Sequence, residues 1–303
     1  MKVDNSPDQG TEVQPQVYLQ TQQNWKFNIW TFVRKQPLGA AGGLSLLILV
    51  LTAIFAPLIQ TFDPLLQDVP NRLHPPDSRF LFGTDSFGRD MFSRIVHGAR
   101  VSLYVGLFSV TIGTAAGTLT GVTSAYAGGK VDLFVQRIVD AMQGIPGLIL
   151  ILALVVALGS SLNNVTLAIA VAFTPRMVRL SRSQALMVKQ EDYVLAAKSI
   201  GSSPVRVILR HVLTNSMTPV IVLATGYLGT AIVTEAGLSF LGLGVPPPHP
   251  SWGGMLQFGA RQYQEAAPWL TIFPGIALTI TVFGFNLFGD ALRDALDPQL
   301  RGH

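Results

Sequence analysis

Val101-Ser-Leu-Tyr-Val-Gly-Leu-Phe-Ser-Val-Thr-Ile-Gly-Thr-Ala-Ala-Gly-Thr-Leu-Thr-Gly-Val-Thr-Ser-Ala-Tyr-Ala-Gly-Gly129 contains no charged residue, and Arg100 and Lys130 bracket it. About 20 apolar residues are enough to cross roughly 30 Å of hydrocarbon as a helix. The stretch therefore predicts a membrane span beginning at about Val101. Within it Ser109, Gly113, Gly117, Gly121 and Ala125 recur every fourth residue. A line of small side chains lets a second backbone approach closely, so Gly113, Gly117 and Gly121 are candidate helix-packing positions.

Working outward, the same absence of charge recurs. Lys35 to Asp63 is uncharged, with Leu38–Ile59 as a first helix. The uncharged stretch Ala141–Pro175 is too long for one span and is interrupted at Gly159, Ser160, Ser161, Asn163 and Asn164, which predicts two helices and a short turn. Further helices are expected between Arg210 and Glu235 and between Glu265 and Asp290. The fold class is thus an all-α membrane protein with six transmembrane helices and an extracytoplasmic segment between the first two. Composition agrees: 49% of the 303 residues are hydrophobic and 13% charged, against about a quarter charged in soluble domains.

Lys and Arg favour cytoplasmic loops. With the N-terminus inside, 15 basic residues fall on the cytoplasmic side and six outside. Five of those six lie in 61–100, where Asp63, Asp68, Asp77, Asp85 and Asp90 balance them. The basic excess follows topology, so nucleic acid is not the expected partner. Residues 1–24 are polar and Gln-rich, which predicts a disordered tail. They lack the apolar core of a signal peptide, so the first span is expected to be retained.

The fourth helix carries Arg176, Arg179 and Arg182 at three-residue spacing. They either snorkel to headgroups or face a hydrated cavity. The loop that follows has a defined pattern. Glu191 and Asp192 place negative charge at a helix start. Tyr193, Ala196, Ala197 and Ile200 fall at i, i+3, i+4 and i+7, an apolar stripe. Gly201 is a helix stop, and Ser203-Pro204 supplies an N-cap and first-turn proline for a restart. Spacing alone allows this short helix either to dock in a partner's groove or to rest on the membrane or its own bundle.

Tyr193-Val-Leu-Ala-Ala-Lys-Ser-Ile-Gly201, followed by Arg210-His-Val-Leu-Thr-Asn215, resembles the EAA loop of binding-protein-dependent ABC importer permeases. Ala196, Ala197, Gly201 and Leu213 match its pattern, while Leu195 replaces its glutamate and Thr214 its proline. Phe82-Gly-Thr-Asp-Ser-Phe-Gly-Arg-Asp90, Leu238–Gly244, Pro250–Gly253, Asn286–Asp290 and Arg293–Pro298 together resemble the dipeptide/oligopeptide/nickel permease family, specifically its C-type subunit.

The resemblance implies the type I ABC importer permease fold in a bacterial inner membrane, with both termini cytoplasmic. Residues 1–34 would be a cytoplasmic tail, 35–62 the first helix and 63–100 an extracytoplasmic segment. Residues 101–292 would form the core, with a coupling loop at about 189–205, and 293–303 a second cytoplasmic tail. It also implies a homologous second permease, two ATP-binding ATPase subunits and an extracytoplasmic substrate-binding protein. Glu191, Asp192, Tyr193, Ala196, Ala197, Ile200, Gly201, Ser203 and Pro204 would receive the ATPase's motion.

No cofactor or metal is expected in this chain. A phosphate-cradling loop needs Gly-x-x-x-x-Gly-Lys-Ser/Thr, whereas Gly129-Lys130 is followed by Val131 and preceded at the first glycine position by Ser124. His74, His97, His211, His249 and His303 lack paired spacing. An ion-coupled secondary transporter would need ionisable residues near the midplane; Glu235 and Asp290 are placed instead at span ends. The expected chain is a non-enzymatic permease for peptides or a related solute such as nickel, glutathione or opines.

Overall fold

The computed structural model describes residues 33, 34 and 36–296. The tail read at 1–24 and the final residues of the C-terminal tail lie outside the described residues.

The first helix, α1 (Pro37–Ile54), breaks at Phe55 and continues for one turn as α2 (Ala56–Ile59), with Pro57 in its first turn. Arg100 satisfies the free carbonyls at the end of α1, donating from Nε to Ala53 O and from Nη2 to Ile54 O at 3.0 Å. The next helix, α3 (Met91–Ala127), starts ten residues earlier than the charge gap predicts. Asp90 is the reason: its carboxylate accepts from Ser93 N at 2.9 Å and caps the helix there. At 1.5 Å per residue α3 is about 55 Å long, longer than the hydrocarbon is thick, so its charged first turns lie beyond the apolar part.

Residues 129–188 form three helices. These are α4 (Gly129–Gln143), α5 (Gly147–Leu158) and α6 (Leu162–Val188). The predicted turn near 159–164 is present, with Ser161 accepting from Asn164 N. The span expected from Ala141, however, is broken by Gly144-Ile145-Pro146, where α4 and α5 meet at 91°. Proline has no N–H to continue the ladder, and α4 is amphipathic, so only its last turn belongs to the uncharged stretch.

The remaining helices are α7 (Asp192–Ser199), α8 (Pro204–Val207) leading through a π-turn (Ile208–Leu213) into α9 (Thr214–Phe240), then α10 (Trp252–Gln262) and α11 (Trp269–Leu296). Among the described residues four helices are long and apolar enough to cross a membrane, or five with the bent α4–α5 pair as one span. Helix α6 does not pass on composition, since its second half carries three arginines.

Packing fixes relative direction. A Cβ added at Gly113 would lie 2.8 Å from Ala170 O, one at Gly117 2.9 Å from Thr174 O, and one at Gly121 2.5 Å from Val178 O. Each step of four on α3 meets a step of four on α6, so the two helices run parallel, backbone against backbone. Antiparallel pairs complete the bundle. Gly42 of α1 sits against Gly284 O of α11. Gly106 of α3 faces Ile232 of α9, while Val122 and Val212 share a core cluster at the other end. Leucine and isoleucine side chains of α1 such as Leu44, Leu47, Ile48 and Ile54 remain exposed, a surface suited to lipid.

Candidate functional site

At the end of the bundle where α3 and α6 finish, residues 189–213 form an elbow. Lys189 anchors it: Nζ donates to Ala125 O at 3.2 Å and Tyr126 O at 3.0 Å, the open carbonyls at the end of α3. Lys189 and Lys198 also lie over the Tyr126 ring, 5.3 and 5.5 Å from its centroid. Glu191 is the N-cap of α7 and Asp192 stands in its first turn, near the positive end of the helix dipole.

The helix closes at Gly201, whose φ is +81°. Gly201 N donates to Lys198 O at 3.0 Å and Ser202 N to Ala197 O at 3.1 Å, the paired bonds of a Schellman stop. Without a side chain, Gly201 enters this left-handed region at no steric cost. The chain then restarts: Ser203 Oγ accepts from Arg206 N, and Pro204 takes the first turn, where its missing N–H is harmless.

The stripe read from the sequence divides between two faces. Ala197 and Val194 turn inward, and Val194 packs in a cluster with Val122, Ala125, Ala185, Val207 and Val212. Tyr193, Ala196 and Ile200 face outward, and Leu195 joins them. Ile200 is 83% exposed. Periodicity identifies an apolar face but not which apolar residues fill the molecule's own groove: Val194 and Ala197 are buried, and Tyr193, Leu195, Ala196 and Ile200 stay outside. Val205 and Leu209 extend the exposed surface beyond the restart.

The three arginines of α6 separate as well. Arg182 makes a two-pronged ion pair with Asp132, at 2.7 and 2.5 Å, and Arg179 pairs with Asp140 at 2.6 Å. Both acids lie on α4, so these two arginines strap the amphipathic helix to α6 instead of snorkelling. Arg176 reaches only the Tyr227 hydroxyl, at 3.4 Å.

The opposite end is closed by residues 82–94. Asp85 Oδ1 accepts from Phe87 N and Arg89 N at 2.8 and 3.0 Å, while Oδ2 accepts from Arg89 Nε at 2.7 Å and lies 3.6 Å from Arg94 Nε. Trp252 donates to Ile95 O at 3.0 Å and Trp269 to Thr84 O at 3.1 Å. Gly98 leaves room for the Trp252 indole. Glu235 is fully buried within the protein, with Oε1 accepting from Ser239 Oγ at 2.6 Å. The charge-gap rule placed it at a span end, but α9 runs to Phe240 and turns the acid inward.

Residues 113–302 match the family described as binding-protein-dependent transport system inner membrane component. The chain belongs to that family. Residues 25–76 additionally match the N-terminal transmembrane domain of oligopeptide transport permease C. The dipeptide transport system permease protein DppC of Alkalihalophilus pseudofirmus is 42% identical over 98% of this chain and 95% of its own length. The probable D,D-dipeptide transport system permease protein DdpC of Escherichia coli K12 is 42% identical over 97% and 98%. A glutathione transport system permease protein, GsiD of Escherichia coli O6:K15:H31, is 41% identical over 90% of each chain. In fold, the inward-facing MetNI methionine ABC transporter is similar, with a TM-score of 0.56 at 20% identity, covering 68% of this chain and 98% of that one.

In this permease the two departures from the family loop have definite places. Leu195 stands on the outward apolar face of the elbow, where it adds area. Thr214 begins α9, and its hydroxyl donates to Leu209 O at 3.1 Å across the π-turn. Sequence reasoning missed Lys189 as the anchor; a lysine at the end of an arginine-bearing helix, before a turn, was the available signal. It also missed Asp132 and Asp140 as partners of the arginines, which an amphipathic period in 129–143 would have indicated.

Proposed function

We propose that this permease forms half of a translocation path for peptides, in complex with a homologous second permease, two cytoplasmic ATPase subunits and an extracytoplasmic binding protein. ATP is bound and hydrolysed by the ATPase subunits, with no cofactor in this chain. The observation that carries the proposal is the elbow. Its inner face is locked to α3, α6 and the π-turn through Lys189, Val194 and Val207, while Tyr193, Leu195, Ala196 and Ile200 offer an apolar surface of the kind a helix-in-groove contact uses. The names of the relatives support peptides over nickel or opines.

Six crossings, both termini cytoplasmic and 63–100 outside complete the reading. Parallel packing of α3 and α6 supports the count, because two helices that run the same way require the chain between them to return across the bilayer. Helix α5 alone, about 18 Å long, is too short, and the bent α4–α5 pair supplies the rest. The ion pairs to Asp132 and Asp140 reduce the charge that α6 brings to the membrane.

Two measurements test the reading together. Cysteines replacing Ser78 and Ser203, in a chain with none of its own, should label from opposite sides, with Ser78→Cys reactive in intact spheroplasts. The assembled complex should hydrolyse ATP faster when peptide-loaded binding protein is added. Labelling of Ser203→Cys from outside would overturn the topology, and failure of the ATPase to co-purify would overturn the coupling role.

A further inference from the structure

Within one helix, three arginines at a spacing of three have unequal fates. Arg179 and Arg182 are neutralised by Asp140 and Asp132. Arg176 has no ion pair among the described residues. It borders an open cleft of about 770 Å³ between α6, α9 and α11, lined also by Tyr227, Thr230, Asn286, Asp290 and Arg293. Leu180, Val222 and Leu223 line the same cleft, so its wall is mixed, with the charges of Arg176, Asp290 and Arg293 set among apolar side chains. Ionisable groups at membrane depth face a bundle interior or a water-filled cavity, where they mark a path for a polar cargo.

The Tyr227 side is preorganised. Its ring stacks on Phe173 with centroids 4.7 Å apart and 15° between planes. It is buried, and its hydroxyl oxygen accepts from Arg176 Nη1. A guanidinium held beside a phenol presents several parallel N–H donors and one O–H donor to the same space. That donor set matches a carboxylate, which accepts two-pronged bonds from Arg. Asp290 places the opposite charge in the same cleft.

We propose that Arg176 and the Tyr227 hydroxyl form a carboxylate-binding subsite, at which the C-terminal carboxylate of a transported peptide rests on its way through the permease. The inference rests on the peptide reading given above. It places the subsite in the half of the bundle nearer the elbow, where the cleft includes the first turns of α9 and the last turns of α11.

The test is equilibrium binding of radiolabelled dialanine to the complex of both permeases and both ATPases in lipid nanodiscs, without the binding protein. Dialanine amide, which lacks the carboxylate, serves as competitor. The wild type should bind dialanine and prefer it to the amide by about tenfold or more, the value of one charge-assisted hydrogen bond. Arg176→Gln should abolish that preference, Arg176→Lys should keep part of it, and Tyr227→Phe should lower it several-fold. A preference unchanged in Arg176→Gln, or absent in the wild type, overturns the subsite while the peptide reading stands. Release of the second permease from Arg176→Gln and Arg176→Lys alike would show that Arg176 pairs with a partner's acid, which also overturns it. If the wild-type complex with its binding protein transports no peptide, the peptide reading falls and the subsite with it.

Discussion

At the end of the bundle built by residues 82–94, Asp85, Arg89 and Arg94 are each less than a tenth exposed, and the one carboxylate serves both guanidinium groups. At the elbow end, Ile200, Val205 and Leu209 are 83%, 65% and 54% exposed. Charge is buried and answered within the chain at one end, and apolar surface is left uncovered at the other. Each arrangement is costly alone: buried charges require partners, and apolar surface in water forgoes roughly 25 cal/mol per Å². The first end has met its cost internally. On the proposed function the second is covered by the ATPase, and substitutions should therefore affect folding at the first end and assembly at the second.

The largest effect should come from Asp85→Ala. It strands Arg89 and Arg94 and removes the acceptor for two backbone N–H groups, a loss of about 3–5 kcal/mol. The purified permease should melt at markedly lower temperature, and an unchanged melting curve would break the comparison at its buried end. Gly201→Val should be intermediate. It forces a β-branched residue into the left-handed region at a cost of about 1–2 kcal/mol or more, with no clash, since a Cβ there meets no atom within 4 Å. Modest destabilisation with a redirected elbow and weak ATPase capture is expected; wild-type capture would show that the stop does not set the elbow's direction.

Ile200→Glu should have the smallest effect on stability, within about 0.5 kcal/mol, because the side chain touches little of its own chain. Capture of the ATPase in a pull-down should nevertheless fall sharply. Ala197→Glu makes the complementary control: it would put a charge at a buried position of the permease itself and should lower stability first. Equal behaviour of the two variants would mean that the elbow has no distinct inner and outer faces.

How legible this was in the sequence follows from the same contrast. Gaps in charge located α1, α9 and α11 because those helices are long and apolar enough to cross a membrane. The gap method misplaced the start of α3, since Arg94 and Arg100 are helical residues whose charges are satisfied by Pro64 O, Ala53 O and Ile54 O. It also merged the end of α4 with α5, since Ala141 and Met142 are apolar whether they lie on a surface helix or in a span. At the elbow, Gly201 and Ser203-Pro204 were readable because local backbone chemistry alone dictates a stop and a restart. The inward facing of Val194 and Ala197 was not, because burial there depends on distant residues such as Val122 and Ala185, which pack with Val194.

The glycine ladder between α3 and α6 has a mechanical consequence. Two rods in contact through backbone atoms have little side-chain padding to compress, so they shift as a single stiff strut. Lys189 clamps the base of that strut, and Trp252 rests on it at Gly98, near the other end. A tilt imposed at the elbow, as the proposed function requires, would reach Gly98 along about 40 Å of α3. The lever needs no sequence of local rearrangements to carry it.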